Sequence, residues 1–211
     1  MKVGFNKGKK YRPYKRLTEE QKNLIYKLYE EKMELRKIAR VLGVELRTVQ
    51  YHLKKMQEYR ELYQEQIEKL KSLSLVFSYL IMDELYTFIG NKKRRYYIWT
   101  AIAVTKTKRY FYFYYLSKDK GSEALFNFKS DLPEVSKVYT DGNYSYNQIF
   151  GSKATMRKSR ITNIIENLNS QLRDKISYLV RRTKAHAKSY EWLDNRLAWF
   201  FTNKNLKGGK K

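Results

Sequence analysis

Apolar and polar positions recur along this chain with two different periods, and the change from one to the other near residue 73 divides it. Leu24, Ile25 and Leu28 recur at helical spacing behind the capping pair Thr18 and Gln21, which predicts a first helix from about Thr18 to Glu31. Leu35, Ile38 and Leu42 then share a helix face, Ala39 is small enough for close helix approach, and Gly43 supplies a turn conformation that other residues resist. With Val49 and Leu53 packing inward from the helix that follows, this stretch predicts a helix-turn-helix. From Glu58 to Lys71 an acidic stripe (Glu58, Glu61, Glu65, Glu68) lies beside a broken apolar one (Leu62, Ile67, Leu70), which predicts a connecting helix.

Beyond Leu73 the runs turn β-branched and aromatic. Apolar stretches at 79–89, 96–105 and 110–116, joined by short polar turns, predict an antiparallel meander. A helix is predicted over 121–132 and a short strand over 137–140, ended by Asp141-Gly142-Asn143. A right-handed crossover sets that fourth strand parallel to the first and beside it. A helix over about 161–180 has Ile161, Ile164, Ile165, Leu168, Leu172, Ile176 and Leu179 on one face. The last helix, near 188–201, carries Trp192, Leu197, Trp199 and Phe200, rings expected in the core. The class expected is α/β: a mixed sheet flanked by helices, preceded by an all-α helix-turn-helix domain.

Charge changes the picture. Lys and Arg number 45 against 21 Asp and Glu, a net charge of 45 − 21 = +24. That excess points to a polyanion as partner. An anionic membrane surface is the other reading of a basic chain, but no run of about 18 apolar residues and no signal-peptide pattern is present. A cytoplasmic, nucleoid-associated protein with no membrane contact is expected. With no cysteine and two histidines, a thiolate zinc finger and a zinc cage are excluded, leaving oxygen ligands and hard cations. The domains expected are a basic disordered arm at 1–16, a helix-turn-helix domain at 17–57, the connecting helix at 58–72, a catalytic body at 73–203 and a basic flexible tail at 204–211. On the second helix of the reading head, inward Val49 and Leu53 turn Arg47, Thr48, Tyr51, Lys54 and Lys55 outward, toward a DNA major groove. The alternative is a small bundle with a solvated charged face.

Asp83 stands in the middle of the first apolar strand, where an ionised carboxylate is costly without a partner. A solitary buried Asp is more often structural than catalytic. Asp141 at the end of the short strand and Glu166 on the long helix alter that balance, because three converging carboxylates can hold divalent metals. Glu166, Ser170, Arg173 and Ser177 form one stripe off the apolar centre of the helix, which taken alone reads as a solvated face. Glu84 points to the opposite face of the strand from Asp83 and is left out of the metal set. His186 reads as a surface or packing residue.

With these residues in view, the sequence resembles the DDE transposases of bacterial and archaeal insertion sequences, most closely the IS-one family. The likeness rests on three blocks: Met82-Asp83-Glu84 with Tyr86 and Ile89-Gly90; Thr140-Asp141-Gly142 with Tyr144; and Ile165-Glu166, Asn169, Leu172-Arg173, Ile176, Leu179, Arg181-Arg182-Thr183 and Lys188-Ser189. Between Asp141 and Glu166 lie 24 residues, the short spacing of that family. The resemblance implies an RNase H-like mixed five-stranded sheet, three strands antiparallel and two parallel. It implies an enzyme that binds transposon ends and carries out DNA cleavage and strand transfer with two Mg²⁺ ions, or Mn²⁺ in their place. Asp83, Asp141 and Glu166 would be the catalytic metal ligands. Arg173, with Arg181 and Arg182, would hold DNA phosphates. Terminal inverted repeats and target DNA are the implied partners, and a homodimer or higher oligomer the implied assembly. Family members commonly carry an N-terminal cysteine zinc finger, absent here, which leaves end binding to the arm and the helix-turn-helix. A catalytically inactive helix-turn-helix regulator and another RNase H-like nuclease or integrase are the competing readings.

Overall fold

A computed structural model describes residues 17–31, 33–54, 58–155, 157–179 and 186–208. The arm at 1–16, Lys55, Arg181, Arg182 and the end of the tail lie outside the described residues. Thr18 opens the chain's first helix: its hydroxyl accepts the Gln21 N–H at 3.2 Å while the Gln21 side chain accepts the Thr18 N–H at 3.1 Å. This reciprocal box starts α1 (Glu19–Glu30) where the pattern predicted. α2 (Leu35–Leu42) ends at Gly43, whose φ of 63° is the left-handed conformation that makes the turn. Space around Gly43 is open, so conformation alone asks for glycine there. α3 (Leu46–Lys54) follows, and Ile25, Ile38, Val49 and Leu53 form the apolar centre of the three helices.

The predicted connecting helix forms as α4 (Glu58–Ser72). It lies along α8 (Tyr190–Gly208), with Tyr63 and Ile67 buried. The Tyr63 hydroxyl accepts the Tyr114 N–H at 3.0 Å, so α4 also covers part of an open sheet edge. The head touches the body through Tyr29, whose hydroxyl is 3.1 Å from that of Tyr178 and whose ring lies 4.0 Å under the Arg196 guanidinium.

Three strands form the predicted meander: β1 (Phe77–Phe88), β2 (Arg95–Thr105) and β3 (Tyr110–Ser117), paired antiparallel. After α5 (Ser122–Lys129), β4 (Val138–Tyr139) pairs with β1 in parallel, as the crossover rule required. The order is β3-β2-β1-β4. Among the described residues the sheet thus has four strands, not the five expected. In the fifth position a single parallel bridge joins Ala154 to Val138, with the Thr155 N–H bonded to the Val138 carbonyl at 2.9 Å. Pairing stops there because the Thr155 hydroxyl, not a strand carbonyl, accepts the next N–H, that of Thr140, at 2.9 Å.

α6 (Tyr144–Phe150) is an element the apolar pattern did not predict. α7 (Thr162–Lys175) stops short of residue 180, because Ile176 turns extended and a 3₁₀ turn over Ser177–Leu179 follows. Ile176 and Leu179 stay buried even so. Leu197, Trp199 and Phe200 of α8 are buried as expected and Trp192 is half-buried, but the helix runs to Gly208, so 204–208 are not the flexible tail expected: Asn205 bonds the Tyr112 backbone and holds the helix end to β3. No helix among the described residues is long and apolar enough to cross a membrane.

Candidate active site and DNA-reading face

β4 pairs with β1 through Leu80 with Val138 and Ile81 with Tyr139. Continued by two residues, that parallel register sets Asp141 beside Asp83 just where β4 ends. Gly142, at a φ of 92°, takes the chain out of the sheet. The Thr140 hydroxyl accepts the Gly142 N–H at 3.1 Å and the Asp141 carboxylate accepts the Asn143 N–H at 3.0 Å, so the turn is fixed by its own side chains. Asn143 then caps α6 by accepting the Ser145 N–H at 3.2 Å.

Asp83 is half-buried and each of its oxygens has a protein donor. The Glu84 N–H donates to Oδ1 at 2.9 Å and Asn169 Nδ2 donates to Oδ2 at 2.7 Å. Asn169 comes from α7 and is itself held by the Thr100 hydroxyl at 3.1 Å. Burial pushes the Asp83 carboxyl up to about 6, and the charges of Glu84 and Asp141 add to that against the two hydrogen bonds. Negative charge gathered this closely is stabilised by a bound cation.

Glu166 stands on α7 one turn before Asn169, on the side of the helix that meets Asp83. Its half-exposed carboxylate is paired with Lys158. The ammonium of Lys158 is held above its ordinary range by that bond and charge first, with Asp83 and Asp141 adding. All three expected acids therefore lie within the electrostatic reach of one lysine. The tightest acidic group is a different one, however. Carboxylate oxygens of Asp83, Glu84 and Asp141 lie within 4.8 Å of one another, and Glu166 is not in that group. Glu84 does face away from α7, as strand alternation requires, yet its carboxylate reaches the others because no strand residue flanks it past the end of β4.

Arg173 is half-buried in the last turn of α7, on the Glu166 side. His186 is a packing residue, its ring 5.3 Å from that of Phe88. In the reading head Arg47, Tyr51 and Lys54 are exposed and Thr48 half-buried, while Val49 and Leu53 point inward, as the wheel predicted. Asn169, Asn143, Tyr146, Lys120 and Lys158 join the site without being predicted for it. Of these, Asn169 had a signal in its place in the third family-like block, and Asn143 in its spacing to Ser145 after an Asp-Gly turn.

A sequence model of IS1 transposases matches residues 75–207, more than half of the chain. The chain belongs to the IS1 transposase family. A helix-turn-helix domain model matches residues 13–56. No curated protein matches. Among solved structures, this IS1-family chain is similar to the Mos1 strand transfer complex at 15% identity, over 95% of this chain and 75% of that one, with a TM-score of 0.34. It is similar too to the mariner Mos1 paired end complex with Mg, at 15% identity over 97% of this chain and 77% of that one, TM-score 0.31. These likenesses are too remote to bear on residue roles. As an IS1-family transposase the protein binds DNA and catalyses metal-dependent DNA transposition, the work of an insertion-sequence enzyme.

Proposed function

We propose that Asp83, Asp141 and Glu166 are the acids that hold the metal, as two Mg²⁺ ions or Mn²⁺ in their place, and that α3 reads the transposon ends. What carries the reading is the parallel register that sets Asp83 beside Asp141, with α7 tied to Asp83 through Asn169 at 2.7 Å. Asp83 and Asp141 fit a hard cation: their carboxylate oxygens are closely grouped, and burial with acidic neighbours pushes the Asp83 carboxyl up to about 6. Divalent cations bound there supply Lewis-acid activation of a water or 3′-hydroxyl oxygen and neutralise charge at the scissile phosphate.

The chain's own residues do the rest. The Glu84 N–H and Asn169 hold Asp83 in one orientation, and the Asn143 N–H does the same for Asp141. Lys158, exposed and bonded to Glu166, stands at the rim of the acids and can exchange its carboxylate for a DNA phosphate. Arg173, about 10 Å along α7 from Glu166, suits a phosphate one or two nucleotides from the scissile bond, and Arg181 and Arg182 extend that contact. Arg47 and Tyr51 face base edges, with Thr48, Lys54 and Lys55 on the sugar-phosphate backbone. The reading head is residues 17–57 and the catalytic body runs from 73 to the end of α8 at Gly208, with the basic arm 1–16 and the last residues adding phosphate contacts. Joining two inverted-repeat ends calls for at least two chains, and the setting is the nucleoid.

Asp83→Asn, Asp141→Asn and Glu166→Gln are each expected to abolish cleavage and strand transfer on a labelled transposon end while DNA affinity stays near wild type. A variant that cleaves normally in Mg²⁺ removes that residue from the site.

A further inference from the structure

Glu84 is the acid that strand alternation sets apart, and its side chain is only 7% exposed. A carboxylate in that position is retained only with strong partners. Three donors supply them. Lys120 Nζ and Asn143 Nδ2 reach Oε1 at 2.8 and 3.3 Å, and the Tyr146 hydroxyl donates to Oε2 at 3.0 Å. Tyr146 is fully buried, its ring edge-on to Trp99 at 5.8 Å, so the hydroxyl has a fixed direction. The carboxylate is thus buried, its charge is matched by a lysine, and a fully buried tyrosine fixes it from its other oxygen. That is the coordination of an anchor, not of an open metal ligand.

What the anchor holds is the other half of the site. Asn143, whose side chain bonds Glu84, is the residue whose backbone N–H bonds the Asp141 carboxylate at 3.0 Å. Tyr146 pulls on the same short helix, one turn further along. On its backbone side, Glu84 donates its N–H to Asp83 at 2.9 Å. One residue therefore touches both acids, Asp83 directly and Asp141 through Asn143.

We propose that Glu84 is a positioning residue of the metal site, its carboxylate clamping the 141–143 turn through Asn143 and Tyr146 so that Asp141 stays beside Asp83. The inference rests on the metal-site reading above and adds to it. Strand position alone would have made Glu84 irrelevant, and proximity alone would have made it a fourth ligand. Its deep burial and the lysine matched to its charge separate it from both.

Mn²⁺ binding to the metal-free full chain, followed by calorimetry, tests this with Glu84→Gln, Tyr146→Phe, their double variant and Asp141→Asn, each checked for a cooperative thermal melt. Residues that orient metal ligands lower metal affinity by about 10–100-fold when replaced. Glu84→Gln is expected to fall in that range and Tyr146→Phe to weaken binding less. The double variant should be no worse than Glu84→Gln, since Tyr146 acts through it. Cleavage by Glu84→Gln should recover toward the wild-type rate at saturating Mn²⁺, whereas Asp141→Asn should not recover at any concentration. Wild-type affinity in Glu84→Gln overturns the positioning role. So does a silent Tyr146→Phe alongside a Glu84→Gln that loses binding as fully as Asp141→Asn, because Glu84 would then be a ligand itself. Wild-type binding in Asp141→Asn overturns the metal-site reading and the inference with it. Should Glu84→Gln fail to melt cooperatively, Tyr146→Phe carries the decision by itself.

Discussion

Replacing Asn169 by Ala removes the hydrogen bond by which α7 grips Asp83, and the structure sets the size of the loss. Asn169 is 2% exposed, with Nδ2 on Asp83 at 2.7 Å and Oδ1 accepting the Thr100 hydroxyl at 3.1 Å. Thr100 keeps an acceptor after the change, because its hydroxyl also lies 3.1 Å from the Asp83 carbonyl. The cost therefore falls on the Asp83 carboxylate. A hydrogen bond to an ionised group contributes about 1.5–3 kcal/mol, and partial exposure of Asp83 trims that to about 1–2 kcal/mol. For a chain of this length the melting temperature should drop by about 2–8 °C.

The pH dependence of that loss has a definite sign. The folded Asp83 carboxyl sits at about 6 against an ordinary 3.8, so its burial favours the fold below about pH 4 and that contribution is lost as pH rises through 6. The Asn169 bond works the other way, favouring the ionised form, and its removal moves the carboxyl further up. Urea unfolding of the metal-free chain should therefore show the full Asn169→Ala loss at about pH 8 and a smaller one, about 0.5–1.5 kcal/mol, at about pH 5, where Asp83 is protonated. In an Asp83→Asn background the loss at about pH 8 should shrink to that smaller value. Equal losses at both pH values, or no shrinkage in the double variant, would refute the assignment of this bond to an ionised Asp83.

Arg47→Ala should cut discrimination between transposon-end and random DNA by about 1–3 kcal/mol, read from competition binding at fixed salt; equal losses on both DNAs would mean the wrong face of α3 has been assigned. Arg173→Lys keeps charge but loses the bidentate fork, so cut sites on a labelled end should become slow or imprecise while affinity falls less than about tenfold, and unchanged cutting would sink the phosphate clamp. Because Asp83 must lose its proton to hold a cation, Mn²⁺ affinity should be level above about pH 7 and fall about tenfold per pH unit below about pH 6, and a flat profile would remove Asp83 from the ligands.

The helix-turn-helix was legible because its signals are local: a capping box, an apolar stripe and a glycine at the turn, all within 36 residues from Thr18 to Leu53. The pairing of Asp83 with Asp141 was legible for a different reason, since a short helix between two strands leaves one handedness of crossover and hence one neighbour. α6 was missed because its stability comes from outside the apolar pattern. Its buried side chain is Tyr146, and its start is fixed by the Asn143 cap and by the bond to Glu84, which is 62 residues from Tyr146. The five strands implied by resemblance became four because one hydroxyl, that of Thr155, replaced a strand carbonyl as the partner of Thr140. A Thr in a β-rich stretch gives no notice of such an exchange.

Glu84 shows how a correct local rule led to an incomplete conclusion. Alternation does send its side chain to the face opposite Asp83, and on a fully flanked strand the two carboxylates would be kept apart by the neighbouring chain. β4 is two residues long, however, and the residue that its register would set beside Glu84 is Gly142, which turns away at a φ of 92°. Past that point, among the described residues, β1 has no partner on the β4 side until the single bridge from Ile89 to Ala187, so side chains from its two faces meet around the bare edge. The shortness of β4 thus does two things at once: it exposes Asp83 and Asp141 together at the rim, and it lets an acid from the back of the sheet hold the turn that carries Asp141. A β4 lengthened by a regular strand at 140–143 would keep the register of the two aspartates but remove the Glu84 to Asn143 bond, and with it the fixed aim of the Asp141 carboxylate.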